Sequence, residues 1–157
     1  GLCRKDMELL SSYYQKEITA MHIAVRTSLP DNPLFIDGNA EQLGKTIMSL
    51  LNNGMYAIAK KYGKKAYPAE IGLALESKDG QAVIRLYDNG VGIEQSILDK
   101  IFDPFFTTKT TGEAAGIGLY LSKEIILNHH GQIAVRSEKD ELTEFTITLP
   151  LWEEKSV

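Results

Sequence analysis

Residues 71–93 read IGLALESKDGQAVIRLYDNGVGI. Ile71, Leu73 and Leu75 alternate with polar or small residues, as do Ala82, Ile84 and Leu86, and Asp79-Gly80 between the two runs is a dipeptide that closes antiparallel hairpins. A period of two places the apolar side chains of both strands on one face, which then needs a covering layer. The second strand passes directly into DNGVGI, residues 88–93. Paired glycines let the backbone turn sharply and let a flat or anionic ligand approach, while Asp88 offers a carboxylate acceptor at the strand end. A plain strand-to-helix turn accounts for Gly90 alone, but less well for Asp88, Gly90 and Gly92 together.

Working toward the N-terminus, Asn39 followed three residues later by Gln42 resembles a capping box, and it opens a helix predicted to run to about Lys61 before residues 63–68 stop it. On a 100° wheel Leu43, Ile47, Leu50, Leu51, Met55 and Ile58 share one side. Ser49, Asn53, Tyr56 and Lys60 cluster opposite, so Asn53 is expected to face away from the core. Such a stripe is usually solvated. An asparagine within it is notable, because Asn is a mediocre helix former whose carbonyl oxygen suits a hard cation. Further back, residues 22–29 (HIAVRTSL) read as a strand with Ile23 and Val25 on one face, and residues 5–17 as a short amphipathic helix. Pro30 and Pro33 mark the loop between strand and long helix.

Toward the C-terminus a short helix is expected near 94–102, then the stretch IFDPFFTTKTTGEAAGIGL at 101–119. Apolar Phe anchors before a Thr-rich, Gly-containing tract describe a lid, expected at about 103–116, better than a linker. Gly116 and Gly118 lead into a helix over 117–129, whose free N–H groups and dipole favour an anion. Strands at 132–137 and 143–149 come before Pro150 and a tail at 151–157. About three larger helices and about five mostly antiparallel strands give an α+β fold, a two-layer α/β sandwich whose mixed sheet is covered on one face by helices.

The length of 157 residues suits one domain over 1–157. Seventeen Lys and Arg against 21 Asp and Glu leave a net charge of −4, which argues against a general binder of nucleic acid or anionic membrane. Cys3 is the only cysteine, so there is no internal disulfide, and no apolar run is long enough for a membrane span. The reading is a soluble chain that can be a piece of something larger. Several tempting motifs fail. GNAEQLGKT at 38–46 ends like a P-loop, but five residues separate its glycines where a P-loop has about four. His22 reads as an ordinary strand histidine, and His129-His130 before Gly131 as helix capping. There is no nucleophile elbow and no histidine pair with a third metal ligand.

Taken in order, SLLNNGMYA (49–57), DNGVG (88–92), FDPFFTTK (102–109), GIGLYLSKEIILNHHGQI (116–133) and TEFTITLP (143–150) resemble the ATP-binding catalytic domain of sensor histidine kinases, within the superfamily shared with gyrase, Hsp90 and MutL. The resemblance implies the Bergerat-type ATP-binding fold over nearly the whole chain. It implies that Asp88 accepts a hydrogen bond from the adenine amino group, with Gly90 and Gly92 shaping the pocket floor and Thr143 supporting adenine through water. Asn53 would hold Mg²⁺, and Lys109 with Gly116, Gly118 and Leu119 would meet the phosphates, joined by Lys60. Ser49 stands where the hydrolysing ATPases of the superfamily carry a glutamate, so efficient hydrolysis is not expected. Ala114 replaces a family glycine and Glu113 adds a negative charge, both of which would weaken ATP binding. Tyr56-Ala57 replaces a common Lys-Tyr pair, with Lys60 one turn on as a substitute cation.

The implied function is to bind ATP-Mg²⁺ and donate the γ-phosphoryl group to a histidine on a separate dimerisation domain of a homodimeric parent. Phosphate would then pass to the receiver domain of a response regulator, with no nucleic-acid partner. The alternative is a non-catalytic nucleotide-sensing or protein-interaction module of the same fold. The implied location is cytoplasmic, with a membrane anchor in the parent left open.

Overall fold

A computed structural model describes residues 23–63, 68–104, 106 and 119–152. The expected helix over 5–17, Cys3, His22, Lys109, Glu113, Ala114, Gly116, Gly118, most of the expected lid and residues 153–157 lie outside the described residues.

Among the described residues five strands form one sheet: β1 (Ala24–Ser28), β2 (Glu70–Lys78), β3 (Gln81–Asp88), β4 (Gln132–Glu138) and β5 (Leu142–Pro150), in the order β1-β2-β3-β5-β4. β1 runs parallel to β2 and every other pairing is antiparallel. The hairpin at Asp79-Gly80 forms as the sequence predicts, both residues taking positive φ, and its strands reach further than the apolar alternation alone. Pro150 belongs to β5, opposite Gln81, rather than following it.

One face of the sheet is apolar: Ile71, Leu73 and Leu75 meet Ala82, Ile84 and Leu86, which meet Phe145, Ile147 and Leu149 across β5. The long helix α1 (Ala40–Tyr62) and the shorter α3 (Tyr120–Asn128) cover it. Leu43, Ile47, Leu50, Leu51 and Ile58 of α1 are buried there, as the wheel predicts, each contributing roughly 1.5–3 kcal/mol. The opposite face is polar, with Glu76 and Arg85 paired at 2.6 Å.

Two further expectations need correction. The short helix is α2, Gln95–Leu98 only, after which the chain continues in turns. The backbone there closes three-residue turns, Lys100 N–H donating to Ile97 O at 2.9 Å and Asp103 N–H to Lys100 O at 3.0 Å, in place of helical bonds, while Ile101 and Leu119 bury their side chains and join by a backbone hydrogen bond of 3.1 Å. Val25 does not share a buried face with Ile23: Ile23 is buried, whereas every residue of the edge strand β1 is exposed. Among the described residues, no helix is long and apolar enough to cross a membrane.

Candidate functional site

At the end of the apolar sheet face the side chains turn polar. Asp88 on β3 lies opposite Thr143 on β5, which lies opposite Ser137 on β4, so all three project from the same face in one row. All three are buried. A cavity of about 320 Å³ opens above this row. Asn53, Tyr56, Ala57 and Lys60 of α1 form one wall, Val91 to Glu94 with Ile97 another, and Phe145 and Asp140 close it toward β5. Apolar walls around a few polar groups suit a flat, partly polar ligand.

Asp88 is 6% exposed, and burial pushes its carboxyl up to about 7, against the lowering effects of the Gly90 N–H and of Lys61. Its Oδ1 accepts that N–H at 2.9 Å. Such a group changes charge near neutrality, which is unusual for an aspartate and typical of binding or catalytic sites.

The turn after Asp88 is clamped on both sides. Gly90 sits so close to Ala57 that a Cβ there would overlap the α1 backbone, and Val91 N–H donates to Ala57 O at 3.2 Å. Gly92 has φ +70° and a Cβ there would overlap the Glu138 carbonyl. Gly92 lines the cavity, while Gly90 lies behind it, setting the approach of turn and helix. Asn89 faces away: its Oδ1 accepts from Glu70 N at 2.7 Å and its Nδ2 donates to Pro68 O at 2.9 Å, fastening the start of β2.

Asn53 lines the cavity and is half-buried, so the polar stripe of α1 looks into a cleft rather than into bulk water. Its Nδ2 is the one buried side-chain polar atom without a partner among the described residues. An amide held in that way is suited to a ligand, and a half-turn of the group exchanges nitrogen for oxygen. Lys60 is exposed at the rim, near the Glu94–Lys139 ion pair, in which the Lys139 ammonium holds the Glu94 carboxyl below its ordinary range. Among the described residues, no three or more His, Cys, Asp or Glu gather to hold a metal, so a cation here would draw on a bound ligand for its remaining oxygens.

Of the sequence-predicted residues, Asn53, Lys60, Asp88, Gly92 and Thr143 converge on this cavity. Leu119 is buried in the core and Ser49 is half-buried on α1, neither lining the cavity. Phe102 and Phe106 pack against the core, Phe102 edge-on to Phe145 with ring centres 6.4 Å apart. Two residues escaped the sequence. Ser137 carries no motif, and its only signal is its register opposite Thr143. His129 was expected to cap its own helix, and its Nδ1–H does donate to Ile125 O at 2.7 Å. Its Nε2 also accepts the N–H of Asn39, which starts α1.

Residues 38–153 match the model of the histidine kinase-, DNA gyrase B-, and HSP90-like ATPase family. The chain is 39% identical over 122 residues to the signal transduction histidine-protein kinase AtoS of Escherichia coli (strain K12), a match covering 77% of this chain and 19% of that protein. It is 34% identical over 123 residues to sporulation kinase D of Bacillus subtilis (strain 168), covering 78% of this chain and 22% of the relative. The chain thus spans about a fifth of the length of these relatives. The catalytic domain of histidine kinase ThkA, in a nucleotide-free form, superposes with a TM-score of 0.78 at 21% identity, covering 93% of this chain and 92% of that one. The mycobacterial sensor histidine kinase MprB superposes with a TM-score of 0.74 at 21% identity, covering 94% of each chain. These structural matches establish the fold.

Proposed function

The chain belongs to the histidine kinase-, DNA gyrase B- and HSP90-like ATPase family, as the ATP-binding domain of a sensor histidine kinase, and from that membership we propose that it binds ATP with Mg²⁺ and donates the γ-phosphoryl group to a histidine on a separate dimerisation domain. The observation that carries this reading is the convergence of Asn53, Lys60, Asp88, Gly92 and Thr143 on one cavity with apolar walls.

In this reading Asp88 accepts a hydrogen bond from the adenine amino group at the floor, with Thr143 beside it. The side chains of Val91, Ile93, Ile97 and Phe145 flank the ring and exclude water from it. Asn53 and Lys60 lie along α1 on the side where the phosphates would run. Asn53 would hold a bound Mg²⁺ through its side-chain oxygen, once a half-turn of the amide exchanges that oxygen for the buried nitrogen that lacks a partner, and the ion would supply charge neutralisation to the phosphates. Lys109 and the backbone at Gly116 and Gly118 are assigned to the phosphates on the family resemblance alone.

Phosphoryl transfer depends on positioning and charge neutralisation more than on covalent chemistry by the enzyme, so a domain without a nucleophile is chemically sufficient as donor. The acceptor histidine, a homodimeric parent, a response-regulator receiver that takes the phosphate onward and a cytoplasmic location all follow the same reading. The relatives are sensor kinases much longer than this chain, which supports a dimerisation domain elsewhere in the parent.

Titration calorimetry with ATP and Mg²⁺ tests the binding step. Saturable binding is expected, and no detectable binding at millimolar nucleotide overturns the reading.

A further inference from the structure

Phe145 closes the cavity toward β5 and is 3% exposed. Phe102 meets it edge-on, with ring centres 6.4 Å apart and ring planes at 81°. Phe102 has a second partner: Lys123 on α3 holds its ammonium 5.5 Å from the centre of the same ring. Phe102 and Lys123 are both half-buried, so water screens the attraction between cation and ring only in part. Among the described residues no carboxylate pairs with Lys123, and the ring is what its charge meets. The same two segments join through Leu119 N–H, which donates to Ile101 O at 3.1 Å. Lys123 N–H donates to Leu119 O at 3.0 Å, so the lysine stands one helical turn beyond that joint. Lys123, Phe102 and Phe145 thus form one chain of contacts from α3 to the cavity wall, although neither Lys123 nor Phe102 lines the cavity. An edge-on aromatic pair keeps its geometry only while both rings are fixed. The core fixes Phe145, and the cation on its face fixes the half-buried Phe102.

We infer that Lys123 is a positioning residue for the cavity: its ammonium pins the Phe102 ring, and Phe102 in turn holds Phe145 in the wall against which a base would lie. This role rests on the nucleotide reading above. The lysine charge acts here through packing and not through attraction to phosphate. Lys123 therefore matters to the binding of a base whether or not phosphates accompany it.

The test compares uncharged adenosine with Mg²⁺-ATP in heteronuclear NMR titrations of the 157-residue chain. Wild type is expected to bind both. Lys123→Gln removes the cation and keeps a good helix former, and it should weaken both ligands by the same factor, about two- to fivefold. Lys123→Arg, whose guanidinium also stacks on an aromatic face, should keep the wild-type affinities. In a Phe102→Leu background, adding Lys123→Gln should change neither affinity further, because the ring that transmits the effect is already gone. The ε-methylene resonance of Lys123, shielded by the Phe102 ring, should move when adenosine binds to wild type. Should Phe102→Leu not fold, that resonance and the Lys123→Gln titrations decide the matter. A Lys123→Gln protein that binds adenosine as wild type does, or that loses affinity for Mg²⁺-ATP alone, overturns the inference and leaves the nucleotide reading standing. A loss of equal size in the Phe102→Leu background, or a Lys123 resonance indifferent to adenosine, does the same. A wild type that binds neither ligand overturns the nucleotide reading and the inference with it.

Discussion

Nε2 of His129 accepts the backbone N–H of Asn39 at 2.9 Å across 90 residues of sequence. Because Nδ1 donates to the Ile125 carbonyl, the ring is the neutral Nδ1–H tautomer with a lone pair on Nε2. The Asn39 side chain accepts from Gln42 N at 3.0 Å, so half of the predicted capping box forms, while the half that would satisfy Asn39 N–H is supplied by His129. Replacing His129 by alanine removes the partner of that part-buried N–H and should cost about 0.5–1.5 kcal/mol. Urea denaturation would show it as a lower midpoint with an unchanged slope, and an unmoved midpoint would contradict the assignment. Gly38→Ala should also destabilise, since a Cβ there would overlap the His129 ring.

Asp88 should make stability depend on pH in an unusual direction. Its native carboxyl titrates near 7, well above the 3.8 of a free aspartate, so the native state binds the proton more tightly than the unfolded chain. Its contribution is fully present below pH 3.8 and is lost as the pH rises to about 7, an effect of up to roughly 4 kcal/mol before relaxation and water reduce it. Asp88→Asn lacks this dependence. Measured against wild type by denaturation from pH 4 to 8, the asparagine variant should gain relative stability up to about pH 7 and then level off. A constant difference across that range would remove burial as the cause.

The same substitution tests recognition. Asp88→Asn keeps the shape of the site but replaces one acceptor oxygen by a donor, so discrimination between ATP and GTP should fall. Nucleotide competition at pH 8.5 measures it, and unchanged discrimination would free Asp88 from its proposed role.

Asn53→Ala removes the amide whose buried nitrogen lacks a partner. The fold should tolerate the loss well, since no internal hydrogen bond from that nitrogen is broken. ATP binding should become less dependent on Mg²⁺, by about an order of magnitude in the metal titration. A metal titration that superposes on wild type would count against Asn53 as the cation ligand.

Gly92→Ala combines an unfavourable positive φ with overlap on the Glu138 carbonyl, and should cost at least about 2 kcal/mol while displacing the cavity wall at Ile93. Thermal unfolding and nucleotide titration should both respond. A variant with wild-type melting behaviour would mean that the turn can shift without resistance.

The hairpin, the long helix and the apolar sheet face were legible because period-two and period-3.6 patterns are local and the turn chemistry at Asp79-Gly80 agreed with them. The glycines of DNGVG were legible as a turn, but which of them lines the cavity was not. Gly90 is held by Ala57 and Gly92 by Glu138, neighbours fixed by tertiary packing. After helix α2 the chain closes three-residue turns and Ile101 enters the core, where its backbone carbonyl accepts from Leu119 N–H, a long-range contact that periodicity does not encode. Ser137 and His129 act through partners that the sheet register and the meeting of two helix ends bring to them. Neither partner is visible from neighbouring residues.

Asp88, Thr143 and Ser137 come from three neighbouring strands, and it is strand alignment alone that turns them to one side. A slip of one residue in β5 would carry Thr143 to the outer face and replace it with a non-equivalent neighbour, leaving Asp88 and Ser137 without the group that joins them. Recognition by this floor is therefore a property of correctly paired strands. A nucleotide that binds here would act as a proofreader of folding, raising the melting temperature only of molecules whose sheet has found its alignment.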